Sequence, residues 1–167
     1  MPRQCNLIVF CDVDGVLNNP GCYGPGCSGT HVPAHPPSVA ALNYLTNVTG
    51  AMVVVSSTWR LGGLMFCREK FHEWGVIAPI IDITAALRTA KGDITISQPR
   101  GKEIDHWLHA DNWDDISGFV ILDDDSDMDP HADRLVQTSG HVGLTMADAR
   151  RAVEVIRRPW ARRKVVL

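Results

Sequence analysis

The chain reads as an α/β domain in which helices wrap a central parallel sheet. Three observations carry that reading. Short, uniformly apolar runs recur along the 167 residues, segments of helical spacing alternate with them, and several of the apolar runs end in hydroxyls or acids. Strands buried on both faces read as continuous apolar runs, and alternating strand and helix signals imply strands joined in parallel through helices. Hydrophobic residues make up 45% of the chain, enough to fill the core of one domain, which excludes a disordered or collagen-like polypeptide.

The elements follow in order. LIVFC at 7–11 is the first predicted strand, and a helix over 38–47 follows the Pro36-Pro37 stop, with Val39, Leu42 and Leu45 on one face. AMVVVSS at 51–57 begins the second unit and continues into a predicted helix at 62–74, which closes at Gly75. Residues 76–99 carry mixed signals and no assigned element. A helix at 101–110 opens just after Pro99, with an apolar stripe of Ile104, Trp107 and Leu108. GFVILDDD at 118–125 is a further buried strand ending in acid, and RLVQT at 134–138 is a short last strand. The final helix, 144–158, has Thr145 and Asp148 at the spacing of a capping box. No internal repeat interrupts the series.

Charge is uneven. The last eleven residues hold five Arg or Lys and no acid, which leaves −8 on residues 1–156 of a chain whose total is −3. This basic tail, 157–167, either meets nucleic-acid phosphates or neutralises the acidic body as a solvated end. Five cysteines, an odd number, argue against a disulfide scaffold and for a reducing, cytoplasmic setting. The longest apolar runs fall well short of the ~20 residues a membrane span needs, and the N-terminus lacks a signal-peptide pattern.

Ligands of such sheets bind at the carboxyl ends of the strands, and three of these ends are polar here: DVDG at 12–15, SSTWR at 56–60 and DDDSD at 123–127. Their acids gather into a strongly negative pocket that calls for a cation. Asp12 and Asp14, two residues apart, would share one side of an extended strand. One carboxylate then binds an ion while the other residue gives its carbonyl and keeps its carboxyl for proton transfer. Oxygen-only ligands favour a hard ion, and Mg2+ suits a phosphate substrate. Gly15 lets the chain turn sharply after the pair.

Competing metal readings are weaker. Asp123, Asp125, Asp127 and Asp129 alternate as in a calcium loop, but Met128 stands where that loop needs Gly and Arg134 where it needs Glu. Cys22, Cys27, His31 and His35 offer four zinc-type ligands, although they lie in a Gly- and Pro-rich loop and their spacings only touch the edge of structural-zinc patterns. His72, His106 and His109 fall on predicted helices as surface or packing residues. Trp107 and Trp113 read as core or near-core rather than as base-stacking platforms.

DVDGVLN, the hydroxyl after VVV, PRGKEI and ILDDDSDM stand in the order of the four motifs of the haloacid dehalogenase (HAD) phosphatase superfamily, which this chain resembles over most of its length. RGKEIDHWL, VILDDDSDM and VGLTMADARRAVEVI look, more narrowly, like the HAD domains of Swiss-army-knife RNA repair proteins. The resemblance implies a Rossmannoid three-layer sandwich in a single domain, 1–167, with a flap-like loop at 18–37 and little or no cap. Those 18–37 and 61–99 intervals are too short for a full cap domain, though the second has room for a small one.

The resemblance also implies roles. Asp12 is the expected nucleophile and Asp14 the expected acid and base. Ser56 would bind a phosphoryl oxygen, with Ser57 as the alternative if the strand ends one residue later. Arg100, or in competition with it Lys102, would neutralise the phosphoryl group, and Arg60 would either bind substrate phosphate or pair with an acid. Asp12, Asp14, Asp123 and Asp124 would hold Mg2+, while Asp127 orients the loop or a metal-bound water. An open site, the basic tail and the RNA-repair resemblance together favour a phosphate on a nucleotide or a nucleic-acid end, RNA or DNA, with a 3'-phosphate preferred and a repair kinase or ligase as possible partner. The alternatives are a phosphatase for a small metabolite or phosphoprotein, and a non-catalytic binding module.

Overall fold

The computed structural model describes residues 6–27, 31–87, 98–110, 113 and 115–162. The apolar runs pair side by side. Strands β1 (Asn6–Cys11), β2 (Met52–Val55), β3 (Ile80–Ile83), β4 (Ile116–Asp123) and β5 (Leu135–Gln137) form one sheet in the order β3-β2-β1-β4-β5. Every pairing is parallel. The chain crosses over between β1 and β4 through helices α1 (Pro36–Thr49), α2 (Leu64–Glu73) and α3 (Arg100–His109), the link from β4 to β5 carries the 3-10 turn Ala132–Arg134, and α4 (Met146–Ile156) follows the last strand. Strand order changes direction at β1, so the crevice beyond β1 and β4 is where a ligand site is expected.

Alternate residues of each strand enter opposite cores. Val9, Cys11, Val53, Val55, Val120 and Leu122 face α1, α2 and α4, which contribute Leu42, Leu45, Phe71, Ala152 and Ile156. Ile8, Phe10, Val54, Phe119 and Ile121 face α3, packing on Ile104, Trp107, Leu108 and Met128. Phe10 sits edge-on to both Trp107 and Phe119, with ring centroids 5.3 and 5.7 Å apart. The three layers follow directly from the period of two along β strands and the apolar stripes of the helices. Trp107 and Trp113 stack on each other at this core's edge, as the sequence suggested.

Two elements depart from expectation. Residues 76–99, whose sequence signals are mixed, contain the edge strand β3. Its IIDI is interrupted by Asp82, whose carboxylate is satisfied by the Trp107 indole N–H at 2.8 Å, a partner no local pattern reveals. The second helix begins later than 62, because Thr58–Gly62 forms a 3-10 turn capped by Ser57 before α2 starts at Leu64. Within the interval considered for a small cap, α2 and β3 belong to the main sheet and its covering layer, and residues 88–97 lie outside the described residues.

The capping box of α4 forms: the Thr145 hydroxyl accepts from the Asp148 N–H at 3.1 Å, and the Thr145 N–H donates to the Asp148 carboxylate at 3.0 Å. Much of the described basic tail is tied to backbone. Arg158 donates to the carbonyl of Asp133, and Arg162 to those of Ala110 and Trp113. Arg134 donates to the carbonyls of Arg158 and Pro159, both at 2.8 Å, and lies 5.1 Å over the Phe119 ring. Residues 163–167 of the tail lie outside the described residues. No helix of the described residues is long and apolar enough to cross a membrane.

Candidate active site

Register builds the site. Cys11 lies opposite Val55 on one side and Leu122 on the other, so Asp12, Ser56 and Asp123 follow at one level along the carboxyl edge of the sheet. Asp12, Asp123 and Asp124 each place a carboxylate oxygen within 4.8 Å of the other two. Among the described residues they form the only such group of three or more metal-type ligands. Asp12 and Asp123 are buried, and Asp124 is half-buried.

Each acid has an incomplete set of partners. Asp12 accepts the Val13 N–H at 2.8 Å, and the neighbouring Ser57 hydroxyl works to lower its carboxyl. Asp123 accepts the Asp125 N–H at 3.0 Å through Oδ1, while its Oδ2 is buried without any hydrogen-bond partner. Burial lifts the Asp12 carboxyl to about 6, against Arg100 and the hydrogen bonds from Ser57 and Val13, with Asp124 adding to the rise. Burial also lifts Asp123, to about 8, and the Asp12 charge adds to it. Asp124 is raised by burial and by neighbouring Asp125 and Asp14. Three crowded carboxylates, oxygen donors only, with a buried lone pair unused, fit a hard divalent cation.

Gly15 makes room for this group. It adopts φ +77°, and a Cβ there would stand 2.5 Å from Asp124 Oδ2. The sharp turn expected after the acid pair is thus also the floor on which Asp124 rests.

Arg100 is the cation aimed at the acids. It opens α3, with Nε 3.8 Å from Asp123 Oδ2 and Nη1 3.9 Å from Glu103. Its aim is set by the helix start, because the Arg100 N–H donates to the Asp127 carboxylate at 2.9 Å and the Gly101 N–H to the Asp127 carbonyl at 3.0 Å. A Cβ on Gly101 would come within 2.3 Å of the Met128 and Asp129 backbone, so only glycine permits this docking. Asp127 thus ties its loop to the first turn of α3. Lys102, the competing cation, is exposed on α3.

Asp14 lies outside the three-carboxylate group. The extended geometry that would place it beside Asp12 stops at Asp12, since the N–H groups of Val16 and Leu17 turn back to the Val13 carbonyl. Three side chains instead hold the Asp14 carboxylate: Asn18 Nδ2 at 2.8 Å, the Tyr23 hydroxyl at 3.3 Å and the Trp59 indole N–H at 3.1 Å.

Of the two serines, Ser57 is the one that reaches Asp12, while Ser56 lies level with it and keeps its hydroxyl buried without a partner. Arg60 adopts the acid-pairing alternative. Its Nη2 donates to buried Glu103 at 2.9 Å and its Nη1 to the Ser57 carbonyl at 2.9 Å. Burial lowers the Arg60 guanidinium and raises Glu103, and each partner opposes the shift of the other.

The zinc reading finds no support in the geometry, since Cys22, Cys27, His31 and His35 are not gathered into a ligand group. The Cys22 thiol turns to Asn19 and His35 Nδ1 contacts Ser38 Oγ at 2.9 Å. Glu103, Asn18, Tyr23 and Trp59 were missed by sequence reasoning. Glu103 and Trp59 lie within the quoted RGKEI and SSTWR stretches, but their pairing depends on contacts 43 and 45 residues apart.

No curated protein matches the chain. Residues 8–149, which hold every acid and cation of this site, match the family described as the HAD domain in Swiss Army Knife RNA repair proteins, and the chain belongs to that family.

Proposed function

We propose that the protein is a magnesium-dependent phosphohydrolase working through an aspartyl-phosphate on Asp12, with a nucleic-acid terminal phosphate, preferably a 3'-phosphate, as substrate. The observation that carries this reading is the convergence of Asp12, Asp123 and Asp124 at the ends of β1 and β4, with Arg100 beside them. Asp12 attacks phosphorus in line, so that its bond to phosphorus forms as the bond to the leaving oxygen breaks. Asp14 gives a proton to that oxygen. It later takes one from the water that hydrolyses the intermediate. Ser57 and Ser56 offer hydroxyls to phosphoryl oxygens, and Arg100 opposes the charge of the group in transfer.

Asp12, Asp123 and Asp124, with the carbonyl of Asp14, would hold Mg2+. When bound, the ion supplies positive charge against the acids and the phosphoryl oxygens. The substrate class is supported by the family's link to RNA repair and by the lack of room for a large cap. A kinase or ligase acting on the same ends is the fitting partner. Free thiols at Cys11, Cys22, Cys27 and Cys67 suit a reducing cytoplasm.

Phosphate release with and without Mg2+ should be compared across 3'-phosphorylated oligonucleotides, 5'-phosphorylated oligonucleotides, mononucleotides, sugar phosphates and phosphopeptides. The expected result is magnesium-dependent turnover, fastest on the 3'-phosphate. Faster turnover of a sugar phosphate or phosphopeptide keeps the chemistry and replaces the substrate. Metal-dependent binding of oligonucleotide ends without any turnover indicates a binding module.

A further inference from the structure

We propose that Trp59 is a positioning residue that fixes the Asp14 carboxyl for proton transfer, an inference that rests on Asp14 being the acid of the reaction above. An acid on a loop must present one particular oxygen to the leaving group, and a small misplacement costs about 100-fold in rate. The two Asp14 oxygens are held differently. Oδ1 accepts both Asn18 Nδ2 at 2.8 Å and the Tyr23 hydroxyl at 3.3 Å, whereas Oδ2 accepts only the Trp59 N–H at 3.1 Å. Asn18 is itself fixed, being buried and accepting the Gly15 N–H through Oδ1 at 3.2 Å. Oδ2 is thus the oxygen with room for a proton and a leaving group, and Trp59 sets its direction.

Trp59 is equipped for that role. It is buried, stacks on Phe66 with centroids 6.3 Å apart and meets Trp74 edge-on at 5.2 Å. Its backbone N–H donates to Ser57 Oγ at 3.4 Å, and Ser57 is a near neighbour of Asp12 whose hydroxyl lowers that carboxyl. One short turn after β2 therefore adjoins the nucleophile through Ser57 and donates to the acid through Trp59. An indole N–H only donates, so its partner must be an oxygen lone pair.

In the step concerned, the bond from Asp12 to phosphorus forms while the bond from phosphorus to the leaving oxygen breaks. The proton on Asp14 Oδ2 passes to that oxygen, which departs as a neutral alcohol. Asp14 is left as a carboxylate facing the Trp59 N–H.

The test compares wild type, Trp59→Phe and Asp14→Asn on p-nitrophenyl phosphate, whose leaving group needs little protonation, and phenyl phosphate, whose leaving group needs more. General acids contribute about 100- to 10,000-fold, and Trp59→Phe should remove about tenfold of that from kcat on phenyl phosphate, with a several-fold smaller fall on p-nitrophenyl phosphate and little change in KM. Equal falls on both substrates, or none on phenyl phosphate, overturn the inference. Asp14→Asn separates the two levels: a fall that does not depend on the leaving group sinks the acid assignment itself, whereas a dependent fall beside an unaffected Trp59→Phe sinks only the role of Trp59. If Trp59→Phe melts below the assay temperature, β-(3-benzothienyl)alanine at position 59 keeps the ring shape and deletes only the N–H, with the same expected and opposing outcomes.

Discussion

Asp148 and Asp123 are both buried aspartates, 8% and 1% exposed, yet the protein treats them in opposite ways. Asp148 accepts the N–H and the hydroxyl of Thr145 and pairs with Arg151. Burial pushes its carboxyl up, but these hydrogen bonds win and hold it below the usual range. Asp123 has one backbone N–H, a distant Arg100 and an unused oxygen, and its carboxyl is pushed up by burial and by Asp12. An acid that serves the fold finds its partners within its own helix turn. The acid at the strand edge is left short of them by the folded chain, a shortage of the kind that an added cation would answer.

The contrast can be broken or sharpened in four ways. Asp12→Asn should abolish phosphate release, a loss of about 1,000-fold or more, while circular dichroism shows the fold intact; normal turnover would remove the nucleophile from the site. Glu103→Leu tests a buried acid that is paired with a buried cation, and leaving Arg60 uncompensated should cost about 3–5 kcal/mol in denaturant melts. The double variant Arg60→Met/Glu103→Leu should recover much of that stability, and failure to do so would mean the pair is needed for packing beyond its charge.

The third concerns pH. Asp12 and Asp123 have folded pKa values above the ~3.9 of an unfolded aspartate, so the folded chain binds more protons than the unfolded one between about pH 4 and 8. Stability of the ion-free protein should therefore fall as pH rises through that window, by on the order of a few kcal/mol, and the rise in Tm on adding Mg2+ should be larger at pH 8 than at pH 5. A Mg2+ shift that shrinks with pH would contradict the cluster's role. Asp148 works with the opposite sign, its contribution being lost as pH drops below about 4. The smallest effect is Thr145→Ala, which should cost about 1 kcal/mol in Tm analysis and leave turnover unchanged.

What the sequence reveals is what is local. β1 and β4 declare themselves because a strand buried on both faces must be apolar throughout, and α4 declares itself through Thr145 and Asp148 three residues apart. Asp12, Asp123 and Asp124 meet for a reason also readable in one dimension, since parallel strands bring their carboxyl ends to one edge. β3 was not legible because Asp82 interrupts its apolar run, and the Trp107 indole that pairs with it lies on another element. The surroundings of Asp14 were hidden for the same reason. Spacing places it two residues from Asp12, but its position is decided by a turn at Val13 and by donors from Asn18, Tyr23 and Trp59. The pairing of Arg60 with Glu103, 43 residues away, is likewise set by the fold and by no local pattern.

The first turn of α3 lies against the loop of Asp127, Met128 and Asp129 with no side chain between them, because position 101 has none. The gap between the Arg100 charge and the acids is therefore gauged by main chain against main chain, as in a machined fit without a shim. Substitutions elsewhere can retune polarity around the pocket, but the spacing between its positive and negative walls is adjustable only by shifting the whole helix. Even a methyl group at position 101 would drive the helix start off its seat, because the atoms it meets are main chain and cannot swing aside.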